Sequence, residues 1–235
     1  CSLPPYSLSQ ATIDELKRQT EQMARALNVV GLMNVQFAIQ THDGESTVYV
    51  LEVNPRASRT VPFVSKATGK PLAKIGALVM VGITLEQQGE TREIVPPYYS
   101  IKESVFPFTK FPGVDPLLGP EMRSTGEVMG VGETFGEALF KSQLGAGSTL
   151  PESGTVFLSV MDRDKPKAVA VARLLHDKGY QLVATRGTAQ AIDQAGIPVA
   201  MVNKVKDGRP HVVDLLKNGD IQLVISTVSE VRSQI

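Results

Sequence analysis

From Thr155 onward, short apolar runs alternate with longer helical stretches, and this alternation restricts the possible folds more than any other feature of the sequence. The runs of strand length are Thr155–Val160, Gln181–Ala184, Val199–Val202 and Ile221–Ile225, separated by helical stretches at Lys167–Lys178, Ala189–Ala195 and His211–Asn218. A strand, a helix and a further strand cannot close as a hairpin, so successive strands are expected to lie parallel, joined by right-handed crossovers. Gly179, Gly196 and Gly219 stand just past the three helices, where a left-handed residue ends a helix at least cost. The expected fold of this half is a Rossmann-like parallel α/β sheet.

The N-terminal part reads differently. Ser9–Leu27 is an amphipathic helix with Ile13, Leu16, Met23 and Leu27 on one stripe, and Thr12 and Glu15 have the spacing of a capping box. Asn34–Ile39 and Val48–Val53 are rich in β-branched and aromatic residues and are joined through Asp43-Gly44, which predicts an antiparallel hairpin. Nine prolines from Pro55 to Pro120 then leave room for one helix near Leu72–Gly82 in an otherwise irregular region. The small and turn-forming residues of Ala146–Gly154 predict a linker, dividing the chain into residues 1–147, an α+β unit, and 148–235, the α/β unit.

Charge and composition exclude several classes. The 24 basic and 24 acidic residues cancel, whereas a nucleic-acid-binding chain carries a basic footprint, so any anion site must be local. The longest apolar run, Ile75–Ile83, has nine residues against the roughly 20 of a membrane-spanning helix. The lone Cys1 rules out a disulfide within the chain and a cysteine-based zinc site, which fits a cytoplasmic setting. With no initiator methionine, the sequence reads as a piece of a longer polypeptide. The three histidines are far apart and carry no metal spacing, and the seven methionines read as core fillers.

Two groups of residues carry chemistry. Glu52 and Asn54 share a strand face by the two-residue alternation of side chains, and Gln36 joins them if the hairpin register allows. One carboxylate and two amide oxygens are hard ligands suited to Mg²⁺ or Mn²⁺, although an isolated Glu and Asn on an outward face are ordinarily only solvated. Arg56 and Arg59 follow at once, each with a planar fork for phosphate oxygens. The second group lies at successive strand ends of the parallel sheet: Ser159 and Lys165, then Thr185 and Thr188 around Gly187, then Lys204, then Ser226 and Thr227. Ligands bind at that edge of parallel sheets, where helix N-termini face anions, yet a threonine such as Thr188 is also an ordinary helix cap.

The run Glu52-Val53-Asn54-Pro55-Arg56-Ala57-Ser58-Arg59-Thr60, preceded by Gly31-Leu32-Met33-Asn34-Val35-Gln36, resembles the C-terminal lobe of an ATP-grasp domain. Together with Phe111–Gly130 it is similar to the carbamoyl phosphate synthetase large-chain family. Ala184–Thr188, Val202–Val205 and Gly208–His211 resemble the methylglyoxal-synthase-like regulatory domain of that family. The resemblance implies ATP as nucleotide, two divalent ions per ATP site, K⁺ as a further cation, metal ligation by Gln36, Glu52 and Asn54, and contact of Arg56 and Arg59 with the nucleotide or the transferred phosphoryl group. It implies ornithine contacts at Glu103 and Leu118, and nucleotide-monophosphate effectors (UMP, IMP) at Ser159, Lys165, Thr185, Thr188, Lys204, Ser226 and Thr227. A glutaminase small chain is the implied protein partner. The nucleotide-covering lobe is expected upstream of Cys1 and the last helices and strand of the regulatory domain beyond Ile235, so activity is expected of the longer enzyme and not of this segment alone. Ser226-Thr227-Val228 departs from the Asn-Thr-Thr usual in bacterial members.

Three other readings compete: an ATP-grasp ligase with a different acyl acceptor, a stand-alone nucleotide-binding regulatory module, and methylglyoxal synthase activity. The Phe111–Gly130 run speaks against the first. The second predicts that Glu52 is dispensable. The third lacks a recognisable acidic motif around Asp207-Gly208-Arg209.

Overall fold

A computed structural model describes residues 1–111, 113–119 and 121–228. The chain is a mixed α/β structure that divides into two compact units, Cys1–Ser148 and Thr149–Ile235.

The first unit opens with β1 (Ser2–Leu3) and α1 (Gln10–Ala26). The cap of α1 is Ser9, in extended backbone, whose hydroxyl accepts from the Thr12 N–H at 3.2 Å. The expected Thr12–Glu15 capping box is therefore absent: Thr12 is already inside the helix, and Glu15 pairs with Arg18 at 2.7 Å. The helix ends at Ala26, so Leu27 drops off the apolar stripe and is 53% exposed.

The hairpin of β2 (Asn34–His42) and β3 (Glu45–Asn54) turns at Asp43-Gly44, both at positive φ. Its register sets Gln36 opposite Glu52 and Asn34 opposite Asn54, with an irregularity between Gln36 and Phe37.

The proline-rich middle is more ordered than its composition predicts. Instead of one helix it holds α2 (Thr60–Thr68), α3 (Leu72–Met80) and the single turn α4 (Leu85–Gln88), whose Thr84 and Gln87 form a capping box. β4 (Tyr99–Val105) and β5 (Gly126–Gly132) follow as an antiparallel pair, with β1 on the other edge of β4. Helix α5 (Phe135–Gly145) lies against that pair. Gly130 and Gly132 permit its approach: a Cβ on Gly130 would fall 2.1 Å from the Ala138 carbonyl oxygen, and one on Gly132 would fall 2.7 Å from the Ala138 nitrogen. Glycines that lower strand propensity locally are thus what the tertiary packing requires.

The second unit follows the predicted alternation: β6 (Thr155–Ser159), α6 (Lys165–Asp177), β7 (Gln181–Thr185), α7 (Arg186–Gln194), β8 (Ala200–Val202), α8 (Val212–Asn218) and β9 (Leu223–Ser226). The sheet is parallel throughout, in the order β8-β7-β6-β9. The central strands carry the core, where Val156, Leu158, Leu182 and Ala184 pack with Ala172, Ile192 and Ile197, all nearly or fully inaccessible. Burying the valine, leucine and isoleucine side chains among these contributes about 1.5–3 kcal/mol each, and the continuous apolar runs of β6 and β7 are those of strands covered on both faces. Gly179, Gly196 and Gly219 all take positive φ just past α6, α7 and α8. Helix α7 begins at Arg186, three residues earlier than the apolar pattern predicts.

Candidate functional site

At the open end of the first unit's hairpin, the register puts Gln36, Glu52 and Asn54 together. The Gln36 amide donates to Glu52 Oε1 at 3.0 Å, and the Asn54 amide donates to the same oxygen. One exposed carboxylate is thus held between two amides. The terminal torsions of Gln and Asn are broad and two-fold, so a half-turn of each replaces N–H donors by carbonyl oxygens around the same point. That donor set fits a hard divalent cation whose remaining positions are filled by water or phosphate oxygens. Among the described residues, no group of three or more His, Cys, Asp or Glu side chains could hold a metal, so any cation here depends on the amides and on its substrate.

Arg56 and Arg59 follow where the ladder stops. Arg56 donates to the Ala57 carbonyl at 3.0 Å, and the Arg59 guanidinium lies against the Met122 thioether. Neither guanidinium is paired with a carboxylate among the described residues.

Glu103 is half-buried in β4 opposite Val128, whereas Leu118 lies in the segment 113–119, outside any helix or strand, and is 63% exposed. No hydrogen bond among the described residues joins them.

In the second unit the strand ends form a concavity of about 260 Å³ that gathers Lys165, Thr185, Thr188 and Lys204 from three strand-to-helix junctions. Three strand ends meet here because β6, β7 and β8 are neighbours in a parallel sheet, whatever their separation in sequence. Arg186 and Lys206 line the same space and were not predicted; both directly follow or flank motif residues, Thr185-Arg186 and Lys204-Val205-Lys206. Four basic side chains face two acids, Asp162 and Asp207.

The hydroxyls have structural duties as well. Thr188 is not a helix cap: it sits within α7, is 2% exposed, and its Oγ1 accepts the Val160 N–H at 3.1 Å. Its own proton remains available to donate. Thr185 occupies the N-cap position without capping; its hydroxyl donates to Ser159 Oγ at 3.1 Å, which polarises the Ser159 hydroxyl as a donor in turn. Gly187 has no side chain to fend off Lys165, whose ammonium would lie 3.3 Å from a Cβ there. The first N–H groups of α7 have no partner within the helix, and the helix dipole favours an anion at the same place. Hydroxyls, free amides, ammonium groups and a guanidinium are together the donors that a compact anion such as a phosphate monoester would need.

Ser226 and Thr227 lie at the next strand end and do not line this concavity. Ser226 pairs in register with Ser159, and Thr227 Oγ1 accepts the Met161 N–H at 2.9 Å.

No helix among the described residues is long and apolar enough to cross a membrane.

Comparison with known proteins bears on both units. A family described as "Carbamoyl-phosphate synthase L chain, ATP binding domain" matches residues 2–88, and one described as "MGS-like domain" matches residues 167–235. The carbamoyl phosphate synthase large chain of Ralstonia nicotianae is 73% identical over all 235 residues. Those of Pasteurella multocida and of Neisseria meningitidis serogroup A are 63% and 62% identical over 97% of the chain. The chain spans 22% of the length of the Ralstonia relative and 21% of the other two. With identity this high from end to end and a family match in each unit, the chain belongs to the carbamoyl phosphate synthase large-chain family.

Proposed function

We propose that this chain serves as part of an ATP-dependent ligase that makes carbamoyl phosphate from bicarbonate, glutamine-derived ammonia and ATP. The first unit takes part in carbamate phosphorylation, and the second binds a nucleoside monophosphate effector such as UMP or IMP. The observation that carries the reading is the Glu52 carboxylate held between Gln36 and Asn54 at the hairpin end, with Arg56 and Arg59 directly after it. Phosphoryl transfer needs little covalent help from protein; it needs alignment and neutralisation of negative charge.

In this reading Gln36, Glu52 and Asn54 would hold Mg²⁺ or Mn²⁺, which would supply neutralisation of phosphate charge. Glu52 would provide the full charge and the two amides, turned to present their carbonyl oxygens, would complete the protein's share of the ligands. Arg56 and Arg59 turn from Ala57 and Met122 to grip phosphoryl oxygens, each able to bind two at once. The reading also includes a glutaminase small chain as partner, ornithine contacts at Glu103 and Leu118, K⁺ as an additional cation and a cytoplasmic location.

The test exchanges this segment into the Ralstonia large chain. The chimera is expected to synthesise carbamoyl phosphate, and Glu52→Gln to lower synthesis by about 10²–10³, as for loss of one electrostatic contact to a transition state, while the bicarbonate-dependent ATPase persists. Wild-type synthesis by the variant would refute the role of Glu52. The 235-residue chain alone is expected to form no ATP from carbamoyl phosphate and ADP above a no-protein control.

A further inference from the structure

Lys204 and Lys206 reach the second unit's cleft on the loop between β8 and α8. The two ends of that loop are tied together: Asn203 and His211 form a parallel bridge, and the Val212 N–H donates to the Asn203 carbonyl at 3.1 Å. Within the loop, Val205–Asp207 form a single 3₁₀ turn closed by the Asp207 N–H on the Lys204 carbonyl at 2.9 Å. Something further must hold so short a turn in place, because one backbone bond is worth only about 0.5–1.5 kcal/mol net.

Asp214, in the first turn of α8, does so. Arg209 donates to both of its oxygens, from Nε at 3.1 Å and 3.2 Å and from Nη2 to Oδ1. The His211 N–H donates to Oδ2 at 3.0 Å, and His211 Nδ1, which is buried with no hydrogen-bond partner among the described residues, lies 3.1 Å from that same oxygen. The Asp214 and His211 side chains are only 17% and 14% exposed. One carboxylate therefore gathers the side chain that ends the loop and the backbone that opens the helix. Asp214 itself does not line the cleft.

We propose that Asp214 is a positioning residue for the anion cleft: by clasping Arg209 and His211 it fixes the loop that presents Lys204 and Lys206. The inference rests on the reading of that cleft as a nucleoside monophosphate site. Two lysines on long flexible stems bind an anion well only if the backbone that carries them is ordered beforehand, since otherwise the ligand must supply the ordering.

The test uses this segment exchanged into the Ralstonia large chain, with UMP and IMP as probes in calorimetry. Asp214→Asn is expected to weaken binding about three- to tenfold, in the range of coupling between neighbouring groups. Lys206→Ala is expected to weaken wild type but to add little in the Asp214→Asn background, because the lysine is already misplaced there; a merely destabilising change would leave the two losses additive. The Asp207 and Val212 amides should also exchange hydrogen faster in the variant than the β6 and β7 amides do. Arg209→Met, which removes the exposed arm and leaves the carboxylate on the His211 N–H, is the second variant and should reproduce both effects in weaker form. Unaltered binding and exchange in both variants, or additive losses, would overturn the inference while leaving the cleft reading intact. Failure of wild type to bind either nucleotide would overturn the cleft reading, and this inference with it.

Discussion

Lys165 Nζ lies 2.8 Å from Asp162 Oδ1 at the mouth of the second unit's cleft, so a carboxylate of the protein already occupies a cation that an entering anion needs. Asp162 is 95% exposed and Lys165 28% exposed. The hydrogen bond from Lys165, reinforced by its charge, holds the Asp162 carboxyl below its ordinary range. Exposed pairs of this kind are weak and easily exchanged for another partner. Asp162→Asn is therefore expected to tighten UMP binding by up to about fivefold, measured by calorimetry. Weaker binding would mean that Asp162 orders Lys165 for the ligand and does not compete with it.

Thr188 supports the turn after β6 through the Val160 N–H. Thr188→Val keeps the shape of a buried side chain and strands that donor, a loss of about 1–3 kcal/mol. Thr188→Ser should recover most of it. Denaturation followed by far-ultraviolet circular dichroism distinguishes the two; equal stability of valine and threonine would show that water satisfies the Val160 amide.

Gly130 should tolerate no side chain. Its added Cβ meets the backbone of α5 at Ala138 and Ser142, neither of which can rotate away, so Gly130→Ala is expected at the upper end of the about 1–3 kcal/mol of overpacking. Gly136, in the first turn of α5, has nothing among the described residues within 4 Å of the same atom. There the substitution should stabilise by about 0.4–1 kcal/mol. Thermal unfolding of the pair should give shifts of opposite sign.

Glu15 on α1 is held at a pKa of about 2 by hydrogen bonds from Arg18 and then Gln19. A carboxyl whose folded pKa is depressed contributes stability that is complete above its unfolded pKa of about 4.3, declines as pH falls below it, and is gone once pH passes below about 2. The carboxyl carbon of Glu15 should titrate near 2 by nuclear magnetic resonance, and Arg18→Met should move its midpoint upward toward the ordinary range. An unshifted midpoint in the native chain would show that the pair does not persist in solution.

Much of the architecture was legible because its determinants are local. The alternation from Thr155 onward, the glycines after each helix and the Asp43-Gly44 turn act within a few residues, and the structure follows them. The pairing of β4 with β5 and the helix packed on it were not legible. Gly126, Gly130 and Gly132 make β5 look like a loop, and their reason lies in a helix that begins only at Phe135. In the same way, the first-turn cap of α1 depends on where the chain enters the helix, which Ser9 decides and the Thr12–Glu15 spacing does not.

For the sites, the sequence by itself determined the residue types: a carboxylate between amides, paired arginines, and hydroxyls with lysines at strand ends. Only the tertiary structure decided which of them meet. The β2–β3 register sets Gln36 across from Glu52, and a shift of one residue would have turned one of them to the opposite face. The strand order β8-β7-β6-β9 makes neighbours of Lys165, Thr188 and Lys204, adds Arg186 and Lys206, and leaves Ser226 and Thr227 at the next strand end outside that concavity. Chemical character is a property of each side chain, but convergence at a site is a property of chain crossings, and those are set by burial of the apolar faces between residues far apart in sequence.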